Sequence, residues 1–178
     1  MQTMTIYSIF IVSIAFLVAF VIQLIVLMPL ELALTNENTA FASLLFLPHA
    51  VRVIAAWLIG PKSLFGIIPA GLAVTFFIEP PSTDGHELFL KLAASIYASS
   101  SAVLAFEFMK FCRIDVYPKG GVSIDWRTVF FAGVFASIIN SVGSTWLIQQ
   151  RFESSEVMEV ISRFIIGDTM GLFLGLLT

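Results

Sequence analysis

The chain has 178 residues, of which 58% are hydrophobic and 12% are charged, and its formal net charge is −3. Soluble domains usually contain about 45–50% apolar and about 25% charged residues, so this composition excludes an ordinary soluble domain and indicates a membrane protein. The small net charge and the lack of a basic cluster argue against a nucleic-acid partner. A single cysteine excludes an internal disulfide, and no Cys/His spacing resembles a metal site, so we expect neither a metal nor a cofactor.

Apolar runs of about 20 residues predict an all-α fold, a polytopic transmembrane bundle of about six helices in one integral membrane domain, residues 1–178. About 20 residues at 1.5 Å each cross the roughly 30 Å hydrocarbon core. The predicted spans are residues 4–30, 40–60, 63–78, 88–112, 126–150 and 157–177. Pro29 is predicted to end the first span, and Gly60-Pro61-Lys62 is predicted to form a tight turn.

The distribution of basic residues predicts the orientation of the chain. The second and fourth connections, with the helix ends beside them, contain Lys62, Lys110, Arg113, Lys119 and Arg127. The opposite side contains Lys91, Arg151 and Arg163. The positive-inside rule therefore places the second and fourth connections in the cytoplasm and, with six spans, both termini as well.

Two opposite charges fall near the middle of predicted spans, Arg52 in the second and Asp168 in the sixth. An arginine at the centre of a membrane helix costs roughly 2.5–3.5 kcal/mol on insertion scales, so Arg52 needs compensation. Counted from the same membrane face, Arg52 lies roughly 18 Å and Asp168 roughly 16 Å along its span. We therefore expect an ion pair between them, which serves ligand binding or switching, or only neutralises itself and sets helix register. Asn140, in the middle of the fifth span, is placed to donate a hydrogen bond to Asp168.

His49 precedes Arg52 by three residues and shares its helix face. Pro48 has no N–H, so the Leu44 carbonyl loses its helical partner and the helix is predicted to kink. This cluster predicts a polar pocket at membrane depth that holds water or a small-molecule ligand, whereas His49 by itself fits a hydrogen-bonded core histidine.

Small residues recur every four positions on the last two spans. This spacing lets another backbone approach closely, so these residues are predicted to pack helix against helix. The sixth-span stripe is Gly167, Gly171 and Gly175, and the fifth-span stripe is Gly133, Ser137 and Ser141. On the fourth span, Glu107 and Lys110 are three residues apart and are predicted to pair.

The sequence contains no nucleophile–base arrangement, no phosphate-binding glycine loop and no metal-binding histidine pair. Gly167-Asp168 within a membrane helix is similar to one half of an aspartyl intramembrane protease site, but that chemistry needs a second aspartate in a membrane span. We therefore do not expect an enzyme.

Two motifs resemble those of a known family, the MASE1-type integral membrane sensory domains. Phe46-Leu47-Pro48-His49-Ala50-Val51-Arg52, followed by Trp57-Leu58-Ile59-Gly60-Pro61, resembles the first signature of that family. Ile166-Gly167-Asp168-Thr169-Met170-Gly171-Leu172 is similar to its Gly-Asp-x-x-Gly element, and residues 129–141 resemble the alanine- and serine-rich helix between the two.

The resemblance implies a multi-pass module of the bacterial inner membrane that senses a small ligand or a membrane signal. Its expected partners are the lipid bilayer and a cytoplasmic or membrane protein, such as a histidine kinase or a diguanylate cyclase. The chain departs from the family pattern at His49, where a small residue is common, and in having fewer spans. An output domain is not part of these residues, so we expect a stand-alone relative or a truncated sensory module.

Two alternatives stay open. A substrate-binding membrane subunit of an energy-coupling-factor-type vitamin transporter is also a compact six-helix protein, and Ala15 and Ala19 supply the small-residue spacing with which such subunits dock on their partner. The other is a structural subunit of a larger membrane complex, in which the polar pair serves only assembly.

Overall fold

A computed structural model of the chain describes residues 2–35, 43–77, 84–118, 126–148 and 157–177. Within these ranges the protein is helical and has no strand, which confirms the predicted all-α bundle. The helices are α1 (Gln2–Ile22), α2 (Met28–Thr35), α3 (Leu47–Ile59), α4 (Leu64–Phe77), α5 (Gly85–Phe111), α6 (Trp126–Ile148) and α7 (Val157–Leu177).

Five helical runs among the described residues are long and apolar enough to cross a membrane, which makes the chain a multi-pass membrane protein. They are Ile6–Leu34, Leu47–Phe77, Gly85–Phe111, Trp126–Ile148 and Val157–Leu177. The predicted polar connections are residues 32–39, 79–87, 113–125 and 151–156. Residues 32–35 and 85–87 are helical instead, and 36–39, 79–83, 119–125 and 151–156 lie outside the described residues, as do Lys119 and Arg151 of the orientation argument.

The second and third predicted spans differ from the prediction in length. α3 has 13 residues and α4 has 14, so each is shorter than the roughly 20 residues that cross a bilayer. The predicted turn between them is present as a short 3-10 helix, Gly60–Ser63, in which Gly60 has φ 62°. That backbone conformation is readily available only to glycine. By length and composition, α3, this turn and α4 together form one of the five runs in the described part of the chain, Leu47–Phe77.

The first helix does not end at Pro29 as predicted. A π-helical turn, Gln23–Leu27, joins α1 to α2, and the Met28 N–H donates to the Gln23 carbonyl five residues back. A widened turn directly before Pro29 makes room for a ring that clashes with the preceding turn of a regular helix. The helix therefore continues past the proline to Thr35.

The predicted kink at Pro48 is also wrong. α3 begins at Leu47, so Pro48 occupies the first helical turn, where its missing N–H has no intrahelical partner to lose. Residues Ser43–Phe46, which the prediction placed inside the second span, are not helical. The proline therefore starts a helix instead of bending one.

Side chains from the π-helical turn and α2, and backbone from α7, form hydrogen bonds with this non-helical segment. Gln23 Nε2 donates to Ser43 Oγ over 2.9 Å, and its Oε1 accepts from the Leu47 N–H over 3.0 Å. Glu31 accepts from Ser43 Oγ and from the Leu44 N–H. The Phe46 N–H donates to the Gly167 carbonyl over 2.9 Å. Non-helical backbone is tolerated within a membrane bundle only where such partners exist.

The helices pack in a continuous series. α5 contacts α4 and α6, α7 contacts α6 and α3, and α1 lies against both α3 and α4. Small and branched side chains, among them Val53, Ala56, Ala132, Ala136 and Leu172, fill the main core. A second cluster joins Phe16 of α1 to Ala55 of α3 and to Ile67 and Ala70 of α4.

The glycine stripe of α7 lies against the non-helical segment and α3. A methyl group at Gly167 would overlap the Ser43 carbonyl oxygen, and one at Gly171 would overlap the Phe46 carbonyl oxygen. A methyl group at Gly175 would approach Ala50 Cβ. On α6, one at Gly133 would meet Leu172 and Val53, and Ser137 Oγ donates to the Ile165 carbonyl over 3.5 Å.

We expect the substitution Gly171→Ala to lower the thermal stability of the purified protein, by the equivalent of about 1–3 kcal/mol, because the atom it meets is backbone that cannot rotate away. Gly85→Ala is the matched control, since a methyl group there has no atom within 4 Å. Melting temperatures in mild detergent measure the difference. Equal melting temperatures for both variants contradict the close approach.

Tyr117 connects the end of α5 to the Gly60 turn. Its hydroxyl donates to Glu107 Oε1 over 2.7 Å, Lys110 Nζ lies 5.6 Å from its ring centroid, and a methyl group at Gly60 would lie 3.6 Å from its ring. The predicted Glu107–Lys110 pair is therefore replaced by two contacts with Tyr117. Burial, followed by the hydrogen bond and the charge of Glu107, raises the pKa of the Tyr117 phenol.

We expect Tyr117 to remain protonated above pH 10, where an exposed tyrosine ionises. In a Tyr7→Phe/Tyr97→Phe background, absorbance at the tyrosinate band then shows no transition near pH 10. Adding Glu107→Gln lowers the midpoint, because that substitution removes a neighbouring negative charge. An unchanged midpoint, with helicity monitored by circular dichroism, contradicts the contact.

Candidate functional site

Three of the predicted polar residues meet where α3, α6 and α7 pack together. Asp168 is fully buried, and its Oδ2 atom accepts a hydrogen bond from Asn140 Nδ2 over 2.9 Å. The same oxygen lies 3.4 Å from His49 Nδ1. Asn140 Oδ1 in turn accepts from Ser144 Oγ over 3.2 Å. The predicted Asn140–Asp168 hydrogen bond is therefore present, within a network that extends one turn along α6.

The second ring nitrogen of His49 determines where the protons are. Nε2 lies 3.1 Å from the Gly133 carbonyl oxygen, which can only accept, so Nε2 carries hydrogen. In neutral imidazole Nδ1 is then an acceptor, and it faces a carboxylate oxygen. Neither His49 Nδ1 nor Asp168 Oδ1 has a hydrogen-bond partner among the described residues.

Arg52 is not the partner of Asp168, so the predicted ion pair is wrong. Its nitrogens lie beyond 4.0 Å from the carboxylate, whose ion-pair contact among the described residues is His49. Successive helical residues are rotated by about 100°, so positions three apart point about 60° away from each other. His49 therefore reaches Asp168 on α7, while Arg52 is directed towards α1.

The Arg52 side chain is 5% exposed, and its Nε and Nη1 atoms are buried without a hydrogen-bond partner. The guanidinium carbon lies 5.6 Å from the ring centroid of Phe16 and 5.4 Å from that of Phe46. Contacts of this kind between a cation and an aromatic face hold the group in place, but they leave its N–H donors unused.

A cavity of about 330 Å³ lies beside Arg52. The wall that Arg52 shares contains apolar and polar groups from α1, the π-helical turn, α2, α4, α5, α6, α7 and the non-helical segment. The aromatic lining is Phe16, Phe20, Phe46 and Phe164, and the neutral polar lining is Gln23, Ser43, Thr75, Ser95, Ser99, Asn140 and Ser144. Lys91 adds a second cation. Arg52 and Asn140 therefore line the cavity, while His49 and Asp168 lie in the protein behind Asn140.

Several lining residues were not predicted as site residues. Gln23 interrupts the first apolar run, and Ser95 and Ser99 are one helical turn apart, so polarity within apolar segments was the available signal. Polarity within apolar segments does not predict which polar residues line the same cavity. In the described part of the chain, no group of three His, Cys, Asp or Glu side chains is arranged to hold a metal ion.

We expect a double-mutant cycle to separate the two candidate partners of Asp168. His49→Gln with Asp168→Asn should show a coupling free energy of about 1 kcal/mol or more, as contacting residues do. The cycle of Arg52→Met with Asp168→Asn should show less. Unfolding free energies from denaturation in mixed micelles provide both values. A larger coupling for the arginine cycle contradicts the arrangement.

Comparisons with known proteins leave the site to be interpreted from its own geometry. No family model matches the chain, and no curated protein and no solved structure is significantly similar to it.

Proposed function

We propose that the chain is a MASE1-like integral membrane sensory module of the bacterial inner membrane, which binds a small ligand and passes a conformational change to a cytoplasmic partner. The observation that carries this proposal is the cavity beside Arg52. Its volume, about 330 Å³, lies at the lower end of the range for small-molecule sites. Such sites combine apolar walls with a few convergent polar groups, and this wall combines four phenylalanines with hydroxyl, amide and guanidinium groups.

α3 is the element that supports transmission. It carries Arg52 at the cavity and, seven residues later, ends at the Gly60 turn. That turn contacts Tyr117, which is bonded to Glu107 near the end of α5. A ligand that draws Arg52 towards it therefore acts on a short, rigid helix whose other end lies beside these groups.

The predicted orientation agrees with this direction of signalling. The cavity is lined by the early part of α5, the end of α4 and the later part of α6, which all adjoin the connections predicted to be outside. The Gly60 turn and the end of α5 adjoin the connections predicted to be cytoplasmic. In this orientation the ligand enters the cavity from the outer side of the membrane, and the conformational change reaches the Gly60 turn at the inner side.

A vitamin-transporter subunit is the alternative, because a cavity of this kind serves a transport substrate equally well. Its proposed docking stripe receives no support from the packing. Ala19 is 4% exposed and belongs to the interior, whereas Ala15 is exposed, so the two do not form one outward-facing surface.

We expect native mass spectrometry of the tagged chain, extracted gently from its own membranes, to show a histidine kinase or a cyclase bound to it. The reason is that a sensory module acts only through an output protein. An ATPase pair in its place contradicts the sensory proposal and supports the transporter. A bare chain in membranes that contain the candidate partners also contradicts it.

A further inference from the structure

We infer that the cavity binds a small organic oxyanion, a carboxylate or a phosphate attached to an apolar body, with Arg52 as its counter-ion. This inference rests on the proposed function in one respect only, that the cavity is a ligand site. It adds the charge and the chemical class of the ligand.

The charge balance of the cavity is positive. Arg52 and Lys91 line it, and no described lining residue carries a carboxylate. Lys91 Nζ lies 3.5 Å from Glu87 Oε1, one turn earlier on α5, so its charge is compensated in part. The buried carboxylate of Asp168 accepts a hydrogen bond from Asn140 and lies 3.4 Å from His49 Nδ1, beyond ion-pair distance of Arg52. Among the described residues, Arg52 therefore has no carboxylate within 4.0 Å, although the charge of Asp168 acts on it at longer range.

A buried charge is costly unless a partner with good geometry neutralises it. A guanidinium is always charged, so Arg52 cannot avoid this cost by losing its proton. Its planar group of donors matches the oxygens of carboxylate and phosphate, and the buried Nε and Nη1 atoms have donors to offer. Binding an oxyanion supplies the missing charge and accepts these hydrogens in one step.

The other lining residues determine which chemical group attached to the oxyanion fits the cavity. Phe20 and Phe164 contribute apolar surface to the wall, whereas Ser95, Ser99 and Ser144 contribute hydroxyls. The contacts of Phe16 and Phe46 with the guanidinium hold it in place before the ligand arrives, which reduces the entropy lost on binding. The walls fit an anion with an apolar portion better than a fully hydrated inorganic ion.

The test uses the full chain in nanodiscs and two pairs of probes that differ in charge but little in shape, benzoate with benzamide and hexanoate with hexanamide. We expect the acids to raise the melting temperature and the amides not to do so, because ligands that bind only the folded state stabilise it. Arg52→Met should weaken acid binding roughly 10- to 100-fold, as expected for the loss of a charge-assisted hydrogen bond. Inorganic phosphate tests the charge without the apolar body.

Two matched variants keep the result interpretable. Lys62→Met removes an exposed cation that does not line the cavity and should leave acid binding unchanged. Arg52→Met itself should not lower the melting temperature of the ligand-free protein, because it removes a buried charge that has no carboxylate within 4.0 Å among the described residues. Equal binding of acids and amides, or acid binding that survives Arg52→Met, overturns the inference.

Two further measurements identify the source of the oxyanion and test the signalling role independently of each other. Native mass spectrometry that shows an anionic phospholipid lost in Arg52→Met identifies a lipid headgroup, whereas a small acid lost in that variant identifies a soluble ligand. Cys112, the only cysteine, is exposed at the end of α5 and accepts a fluorophore. Acid binding without a change in Cys112 fluorescence supports the anion site but counts against the sensory proposal.

Discussion

Inside a membrane, every backbone polar group of a helical bundle needs a hydrogen-bond partner from the protein. This requirement is most severe at Ser43–Phe46, where the chain leaves the helical conformation. Gln23, Glu31 and the Gly167 carbonyl supply the partners, and the bare surface of α7 allows that segment to lie against it. The position of α3 follows from this contact, because Pro48 begins the helix directly after it. The polar centre of the protein therefore depends on the hydrogen bonds that this irregular segment makes.

The same placement separates two polar functions that the sequence combines. His49 and Arg52 are close along α3, yet one faces the carboxylate of Asp168 and the other faces a cavity and two aromatic rings. In the first arrangement Asp168 is held by a hydrogen bond from Asn140. In the second, a guanidinium whose Nε and Nη1 atoms have no hydrogen-bond partner among the described residues lines the cavity. Neighbouring residues of one helix thus face two different polar environments.

Small residues make this arrangement compact. Ala132 and Ala136 are fully buried in the core between α3, α6 and α7, and Gly133 leaves room for Leu172 and Val53. Such close packing leaves little freedom around the pair of His49 and Asp168. The cavity borders Arg52 and Asn140, and Phe16 and Phe20 of α1 supply large side chains to its wall.

The sequence by itself determined the class of fold, because length and apolar content alone decide whether a run of residues can cross a bilayer. It also identified Arg52, His49, Asn140 and Asp168, since polar groups in apolar runs are costly and rare. Only the tertiary structure decided that Pro48 begins a helix, that Pro29 lies within one, and that Asp168 is paired with His49. Spacing along a helix specifies a face but not its neighbour, and distances between helices depend on packing that no single segment encodes.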